Sequence, residues 1–159
     1  MSKFKLSQRS LDRLEGVDER LISVVNYAID VTKQDFGVIC GLRTEAEQKS
    51  LVESGASKTM KSKHLEGLAV DLLCYCGPRG SWELNLYDEV ADAMAEGAKF
   101  AGVKVRWGAA WTVLNIGEWE GTMEDAMNSY VDLRRSQGRR PFIEDPHFEL
   151  MVYNPPSFV

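Results

Sequence analysis

Apolar residues recur every three to four positions in several stretches of the chain, as in helices that bury one face. The first stretch follows Asp18, a candidate N-cap. The second follows Thr44, which has Glu47 in capping-box register. The spacing predicts helices over residues 19–33, 44–53, 86–101 and 123–135, after a short amphipathic segment at residues 1–16.

Short apolar runs between these helices have the length of buried strands. Because strand side chains alternate between two faces, Asp71 should lie on the face opposite Leu72 and Cys74. For the same reason, His147 and Glu149 should share one face of the last strand. The runs predict strands over residues 36–41, 69–75, 103–107 and 147–152, with a surface loop at 54–63 and a turn at 77–80.

The mixed order of helices and strands predicts an α+β fold, in which a small antiparallel sheet packs with helices. A chain of 159 residues is long enough for one sizeable core. The sequence shows no internal repeat and no low-complexity linker. We therefore expect a single domain over residues 1–159.

The net charge and the N-terminal sequence bear on which partners the protein can bind and where it is made. The net charge is −5, from 19 basic and 24 acidic side chains, which argues against a nucleic-acid binder. The first residues lack the apolar core of a signal peptide, and no run is long enough to insert into a membrane. We therefore expect synthesis in the cytoplasm. The three cysteines are expected to be reduced thiols, because an odd count without a signal peptide does not favour a disulfide frame.

The chain has only two histidines, His64 and His147, and both lie beside acidic residues. A catalytic zinc ion takes three protein ligands and leaves one position for water. His64, Asp71 and His147 can supply that set. Small residues between His64 and Asp71 would let the backbone turn so that both side chains converge. The ordinary alternative for a single histidine is a core or surface group, so the hypothesis depends on both histidines meeting.

Hydrolysis at such a site also needs a carboxylate that moves protons. Water bound to zinc has its pKa lowered to about 7, and the carboxylate accepts its proton and passes it to the leaving amine. Three acidic residues flank His147 and are candidates, and the sequence leaves the choice among them open: Glu144, Asp145 and Glu149.

Two motifs carry a resemblance to a known family. The pattern S-x-H-x-x-G-x-A-x-D over residues 62–71, followed by E-x-x-H over 144–147, resembles the VanY and D-alanyl-D-alanine carboxypeptidase type of zinc peptidase. The segments G-L-R-T-x-x-x-Q at 41–48 and R-W-G at 106–108 also look like that family. The subgroup most similar is the phage endolysins that act as L-alanyl-D-glutamate peptidases.

The resemblance implies roles for particular residues. One zinc ion would be bound in a cleft on the sheet by His64, Asp71 and His147. Glu144 would be the general base and acid. An arginine fork gives two aligned, permanently charged donors. By the resemblance, Arg43 would hold a substrate carbonyl, a carboxylate or the developing oxyanion, and Ser62 would position the substrate.

The resemblance also implies a biological setting. The expected substrate is bacterial peptidoglycan, cut at the L-alanyl-D-glutamate bond of the stem peptide so that the host cell lyses. The protein would wait in the host cytoplasm as a monomer, leave through a separate membrane-permeabilising protein, and act in the periplasm. One alternative is a D-alanyl-D-alanine carboxypeptidase or dipeptidase, since the carboxypeptidases also carry glutamate at the position that corresponds to Glu144. The other is a non-catalytic zinc-stabilised binding module.

Three further features have an ordinary interpretation that we favour over a functional one. Tryptophans mostly supply buried area, so Trp107 and Trp111 are expected in the core rather than in a substrate groove. Cys74 and Cys76 are expected to be buried thiols, facing away from Asp71. The arginines of residues 134–140 are expected to form a solvated basic helix end rather than a surface for anionic envelope components.

Overall fold

The computed structural model describes residues 3–152, so the predicted single domain over 1–159 extends at both ends beyond the described residues. The predicted helices are confirmed with small shifts at their ends. Asp18 accepts a hydrogen bond from the backbone N–H of Arg20, and Thr44 forms the complete capping box with Glu47. The helices are α1 (Gln8–Arg13), α2 (Glu19–Val31), α3 (Glu45–Glu53), α4 (Leu84–Ala101) and α5 (Met123–Ser136).

The strands are β1 (Phe36–Cys40), β2 (Ala69–Cys76), β3 (Arg79–Ser81), β4 (Val105–Trp107) and β5 (His147–Leu150). They form one antiparallel sheet in the spatial order β1-β2-β5-β4, with β3 also paired to β2. The predicted α+β fold is therefore confirmed. The last strand is shorter than predicted, and the predicted turn at 77–80 is the corner of a β2–β3 hairpin whose second strand was missed.

The register of the sheet brings distant parts of the chain together. On one side of β2, Asp71 lies opposite His147 of β5. On the other side, Asp71 lies opposite Cys40 of β1, next to an irregularity that follows Val38. Three residues separated by many positions in sequence therefore meet across neighbouring strands.

The hydrophobic core lies between the sheet and helices α2 and α4, which pack against each other. Strand alternation holds as predicted on β2, because Leu72 and Cys74 are buried while Asp71 lies on the other face. Trp107 is buried and stacks on Phe148, which confirms its place in the core.

The prediction of buried thiols is correct for Cys74 and wrong for Cys76. Cys76 is exposed because it is the last residue of β2, where the hairpin leaves the body of the sheet. Within residues 3–152, none of the helices has the length and apolar character needed to cross a bilayer.

Candidate metal centre

A cleft of about 830 Å³ opens beside the junction of β1, β2 and β5. All six residues to which the resemblance assigned roles line it: Arg43, Ser62, His64, Asp71, Glu144 and His147. The sequence prediction placed these residues at one site, and the structure brings them to one cavity.

His64 is held by a short 3₁₀ helix, Lys63–Glu66, between the surface loop and β2. Ser62 caps this helix by accepting a hydrogen bond from the His64 backbone N–H, and Gly67 ends it with φ of 69°. The buried His64 side chain bonds the carbonyl oxygen of Gly41 through Nδ1 at 2.8 Å. A carbonyl can only accept, so Nδ1 donates and Nε2 is left to face Asp71 Oδ1, 3.3 Å away.

His147 begins β5 and is fixed in the same manner. Its Nε2 lies 2.9 Å from Oε1 of Glu149, whose other oxygen accepts a hydrogen bond from Arg106 at 2.8 Å. The carboxylate accepts, so Nε2 of His147 donates and Nδ1 faces Asp71 Oδ1 at 3.2 Å. Both imidazoles thus turn their remaining nitrogen toward the same carboxylate oxygen.

The pKa values of His64, His147 and Asp71 depend strongly on one another. Burial opposes a positive charge on His64, but hydrogen bonds with Asp71 and Cys40 raise its pKa to about 10. Burial likewise opposes a charge on His147, and Asp71 and Glu149 raise its pKa to about 9. Burial would raise the pKa of Asp71, but the two histidines hold it well below its usual range. A carboxylate that attracts protons to two imidazoles also attracts a divalent cation, which competes for the same nitrogens.

Two separations within the predicted donor set suit a zinc ion. Neighbouring ligand atoms of a tetrahedral zinc site with ordinary bond lengths lie about 3.3–3.6 Å apart. The separations of the two histidine nitrogens from Asp71 Oδ1 are 3.3 and 3.2 Å. A metal-bound histidine usually donates its other ring N–H to a carbonyl or carboxylate, and His64 and His147 do so to Gly41 and Glu149.

Cys40 offers an alternative third donor. The ligand atoms of Cys40, His64 and Asp71 lie within 4.8 Å of one another, so this group can also hold a metal ion. However, Cys40 Sγ approaches Nδ1 of His64, at 3.6 Å, and that nitrogen already bonds Gly41. Asp71 faces the opposite nitrogen, Nε2. A metal shared by Cys40 and Nδ1 of His64 would have to break the bond to Gly41, whereas a metal held at Nε2 would keep it. The group whose spacing suits a metal ion among the described residues is Cys40, His64 and Asp71, with His147 on the other side of Asp71.

Arg43 is positioned at the edge of the cleft by three contacts. One Nη atom donates to Gln48 Oε1 at 2.8 Å, and the other lies 3.2 Å from Cys40 Sγ and 3.6 Å from Asp71 Oδ2. Gln48 has no exposed surface, and its amide nitrogen donates to Ser57 Oγ and the Thr59 carbonyl in the loop. Gln48 therefore connects the arginine to the loop that forms one wall of the cleft.

Glu144 is exposed at the cleft, on a segment that is fixed through its backbone. Its N–H donates to the Gly108 carbonyl at 2.8 Å, and its carbonyl accepts from the His147 N–H at 3.0 Å. A side chain at Gly108 would lie 2.2 Å from the Glu144 carbonyl oxygen, so glycine is required for this close approach. The Glu144 carboxylate is left without a fixed partner and faces the cleft.

The other two carboxylates near His147 are placed differently. Both oxygens of Glu149 are engaged, by His147 and Arg106, which makes it a support for the histidine rather than a free base. In the part of the chain that the structure describes, the residues that line the cleft do not include Asp145. Of the three candidates that the sequence left open, Glu144 is the one with a free carboxylate at the site.

Sequence reasoning missed several features of the site. Gln48 was noted only as part of a motif, although a glutamine in the first turns of a capped helix next to Arg43 is a usable signal.

Trp111 was expected in the core, and this is wrong: it is half-buried, lines the cleft, and has its ring centroid 5.6 Å from that of His147. The arginines of 134–140 are exposed as expected except Arg134, which also lines the cleft.

Comparison with known proteins gives consistent matches. A family model described as phage L-alanyl-D-glutamate peptidase matches residues 1–151. The L-alanyl-D-glutamate peptidase of Escherichia phage T5 is 31% identical over 112 residues, covering 68% of this chain and 82% of that protein. The L-alanyl-D-glutamate peptidase of Listeria phage A118 is 37% identical over 71 residues, which cover 45% of this chain and 24% of that longer protein.

The fold also matches a solved structure. The crystal structure of the Serratia marcescens L-Ala D-Glu endopeptidase ChiX superposes with a TM-score of 0.67 at 30% sequence identity. The superposition covers 92% of this chain and 90% of that chain, so most of the fold is shared.

Proposed function

The chain belongs to the phage L-alanyl-D-glutamate peptidase family, and we propose that it is a zinc-dependent endopeptidase that cuts this bond in the stem peptide of bacterial peptidoglycan. One observation carries the proposal. His64 and His147 each turn one ring nitrogen to Asp71 Oδ1, while a backbone carbonyl or a buried carboxylate holds the other nitrogen. A free carboxylate, Glu144, and a positioned guanidinium, Arg43, line the same cleft.

In this proposal His64, Asp71 and His147 hold one zinc ion. Zinc supplies Lewis-acid polarisation and makes water a nucleophile near neutral pH. The protein's part is to fix the donor atoms. Glu149 and the Gly41 carbonyl set the orientation of the two imidazoles, and the sheet register sets Asp71 between them.

Glu144 is the proposed general base and acid. Its carboxylate faces the cleft without a competing partner, so it can accept a proton from water and deliver it to the leaving amine. Its backbone is tied to Gly108 and to His147, which fixes its distance from the ligand histidine.

Arg43 and Ser62 are the proposed substrate-binding residues. Arg43 presents a guanidinium that is already oriented by Gln48, so little side-chain entropy is lost when it binds a carbonyl or carboxylate. It is also a donor for the negative charge that develops on the scissile carbonyl oxygen. Ser62 caps the His64 helix and lines the cleft, so its hydroxyl can accept from His64 and still contact the substrate.

The proposed setting follows from this activity. The protein would act as a monomeric phage endolysin of one domain, made in the host cytoplasm and released to the periplasm by a separate membrane-permeabilising protein. Its substrate there would be the peptidoglycan wall, whose cleavage causes lysis.

The test is mass spectrometry of muropeptides after incubation with zinc-loaded protein, with and without a chelator. We expect a new product that begins at D-glutamate and that disappears when zinc is removed. Release of D-alanine instead would make the protein a carboxypeptidase, and stoichiometric zinc without any hydrolysis would make it a binding module.

A matched pair of variants tests the acid-base role. Glu144→Gln should bind zinc normally but lose activity by a factor of about 10² to 10⁴, the usual contribution of a proton-transfer group. Asp145→Asn, at the adjacent position outside the cleft, should keep its activity. Full activity of Glu144→Gln would remove Glu144 from the mechanism.

A further inference from the structure

A second cavity, of about 430 Å³, adjoins the cleft. Trp111, Arg134 and Phe142 line both cavities, so the two form one continuous surface. Tyr130, Leu133 and Arg134 of α5 reach it because residues three and four apart lie on one helix face. The two ends of this surface therefore lie on different elements, the sheet and α5.

The floor of this second cavity is preorganised by hydrogen bonds. The Phe142 carbonyl accepts from Trp111 Nε1 at 3.0 Å and from the Tyr130 hydroxyl at 3.3 Å. The Phe142 N–H donates to the same Tyr130 hydroxyl at 3.0 Å. Tyr130 is 4% exposed, so a buried side chain fixes the loop segment that carries Phe142.

Apolar side chains are exposed to solvent in this cavity. Phe142 is 49% exposed and Leu133 is 44% exposed, and the ring centroids of Phe142 and the half-buried Trp111 lie 6.3 Å apart with an interplanar angle of 17°. Exposed apolar groups held rigidly next to polar donors mark a binding site. Gln137, Arg134 and Arg139 supply the donors. Flat aromatic faces beside hydrogen-bond donors suit a sugar ring, which has apolar C–H faces and polar edges.

The distances suit the sugar that carries the stem peptide. In that polymer the L-alanyl residue is joined through a lactyl group to an N-acetylated amino sugar. The sugar ring therefore begins about two residue lengths, roughly 7 Å, from the scissile carbonyl. The ring centroid of Trp111 lies 5.6 Å from that of His147 and 6.3 Å from that of Phe142. A sugar ring held over Trp111 would therefore be within reach of a scissile carbonyl next to His147.

The cleft is lined by several cations, among them Arg43, Lys58, Lys61 and Lys63. The part of the stem peptide that begins at D-glutamate is rich in carboxylates, so these cations suit it. Arg134 and Arg139 also line the second cavity, so the exposed aromatic ring of Phe142, rather than charge, distinguishes that cavity as the place for the sugar.

We propose that the cavity over Trp111 and Phe142 binds the N-acetylated amino sugar to which the stem peptide is attached. This inference rests on the proposed function, because only a peptidase that cuts next to the sugar needs a sugar site so close to its metal. It makes the enzyme selective for glycan-linked stem peptides over free ones.

The experiment compares kcat/KM on two substrates that share one peptide, with and without the disaccharide. For the unaltered enzyme we expect the ratio to favour the disaccharide-peptide about tenfold, the size that one or two aromatic contacts supply. In Phe142→Ala the ratio should fall to near one, and Phe142→Tyr, which keeps the ring, should retain it. The matched control is Phe100→Ala on α4, a 70% exposed phenylalanine that does not line either cavity, which should leave the ratio unchanged.

Each outcome distinguishes the two proposals. Cleavage after L-alanine with equal kcat/KM on both substrates overturns the sugar site and leaves the peptidase proposal intact. An equal loss on both substrates in Phe142→Ala shows that the cavity binds the peptide itself and overturns the sugar assignment. Absence of L-alanyl-D-glutamate cleavage on either substrate overturns both proposals.

Discussion

The Nε2 atom of His147 lies 2.9 Å from Oε1 of Glu149, and this buried pair orients the histidine toward Asp71. The two residues share a face of β5, and Glu149 is only 4% exposed. Arg106, its register partner on β4, takes the second oxygen. The orientation of a proposed metal ligand is thus set by its own strand together with the neighbouring strand β4.

Replacing Glu149 with glutamine should weaken metal binding. A carboxylate offers an acceptor oxygen to each of two donors, whereas an amide offers only one, so either His147 or Arg106 loses its partner. We expect zinc affinity to fall by about 10- to 100-fold, the usual effect of losing such a supporting group. Competition with a chromophoric chelator measures this, and the exposed Glu118→Gln serves as the control. An unchanged affinity would show that Glu149 does not support the metal.

Gly67→Ala should destabilise the protein through the segment that carries His64. Gly67 has φ of 69°, and a Cβ there would lie 2.5 Å from the Gly16 carbonyl oxygen. The combined backbone strain and clash should cost about 2–4 kcal/mol of unfolding free energy. Gly138→Ala is a close control, because Gly138 also has φ of 69° but has nothing within 4 Å of its Cβ position. Urea unfolding of both variants separates the clash from the backbone strain, and equal losses would contradict the clash.

Gln48 should prove to be a positioning residue for Arg43. Gln48→Ala removes the acceptor for Arg43 and both donors to the loop, so kcat/KM and stability should both fall. Gln48→Glu keeps the acceptor but cannot donate to Ser57 and Thr59, and it should keep more activity than the alanine variant. We expect about 1–3 kcal/mol of destabilisation for the unsatisfied loop groups. Kinetics and thermal melts of the two variants test this order, and identical activities would show that Gln48 does not position Arg43.

Asp88→Asn should stabilise the protein at neutral pH. Burial and the nearby Glu124, Asp92 and Glu89 raise the pKa of Asp88 to about 6, and one of its buried oxygens has no hydrogen-bond partner. A carboxyl with a raised folded-state pKa stabilises the fold at low pH and loses that contribution as pH rises from about 4 through about 6. The variant should therefore gain about 1–2 kcal/mol at pH 8, after allowance for solvent screening, and little at pH 4.

Unfolding free energies at both pH values measure this difference. The exposed Asp132→Asn on α5 should show no such gain. A gain at pH 4 that equals the gain at pH 8 would exclude ionisation of Asp88 as the cause.

Local features could be predicted from the sequence because they depend on neighbouring residues. The helix starts at Asp18 and Thr44 follow from capping, which involves residues two or three positions apart. The shared face of His147 and Glu149 follows from strand alternation alone. The two histidine motifs also predicted the family, which the comparisons confirm, since each motif is a continuous stretch of chain.

The relations between distant residues were decided only by the tertiary structure. The pairing of Asp71 with His147 is a sheet register between residues 76 positions apart in sequence, and no local pattern specifies it. The burial of Gln48 under the loop and the position of Trp111 at the cleft likewise depend on how separate segments pack. The sequence alone determined which residue types could bind zinc and move a proton. Packing decided which atoms face one another, because that requires the whole sheet to form.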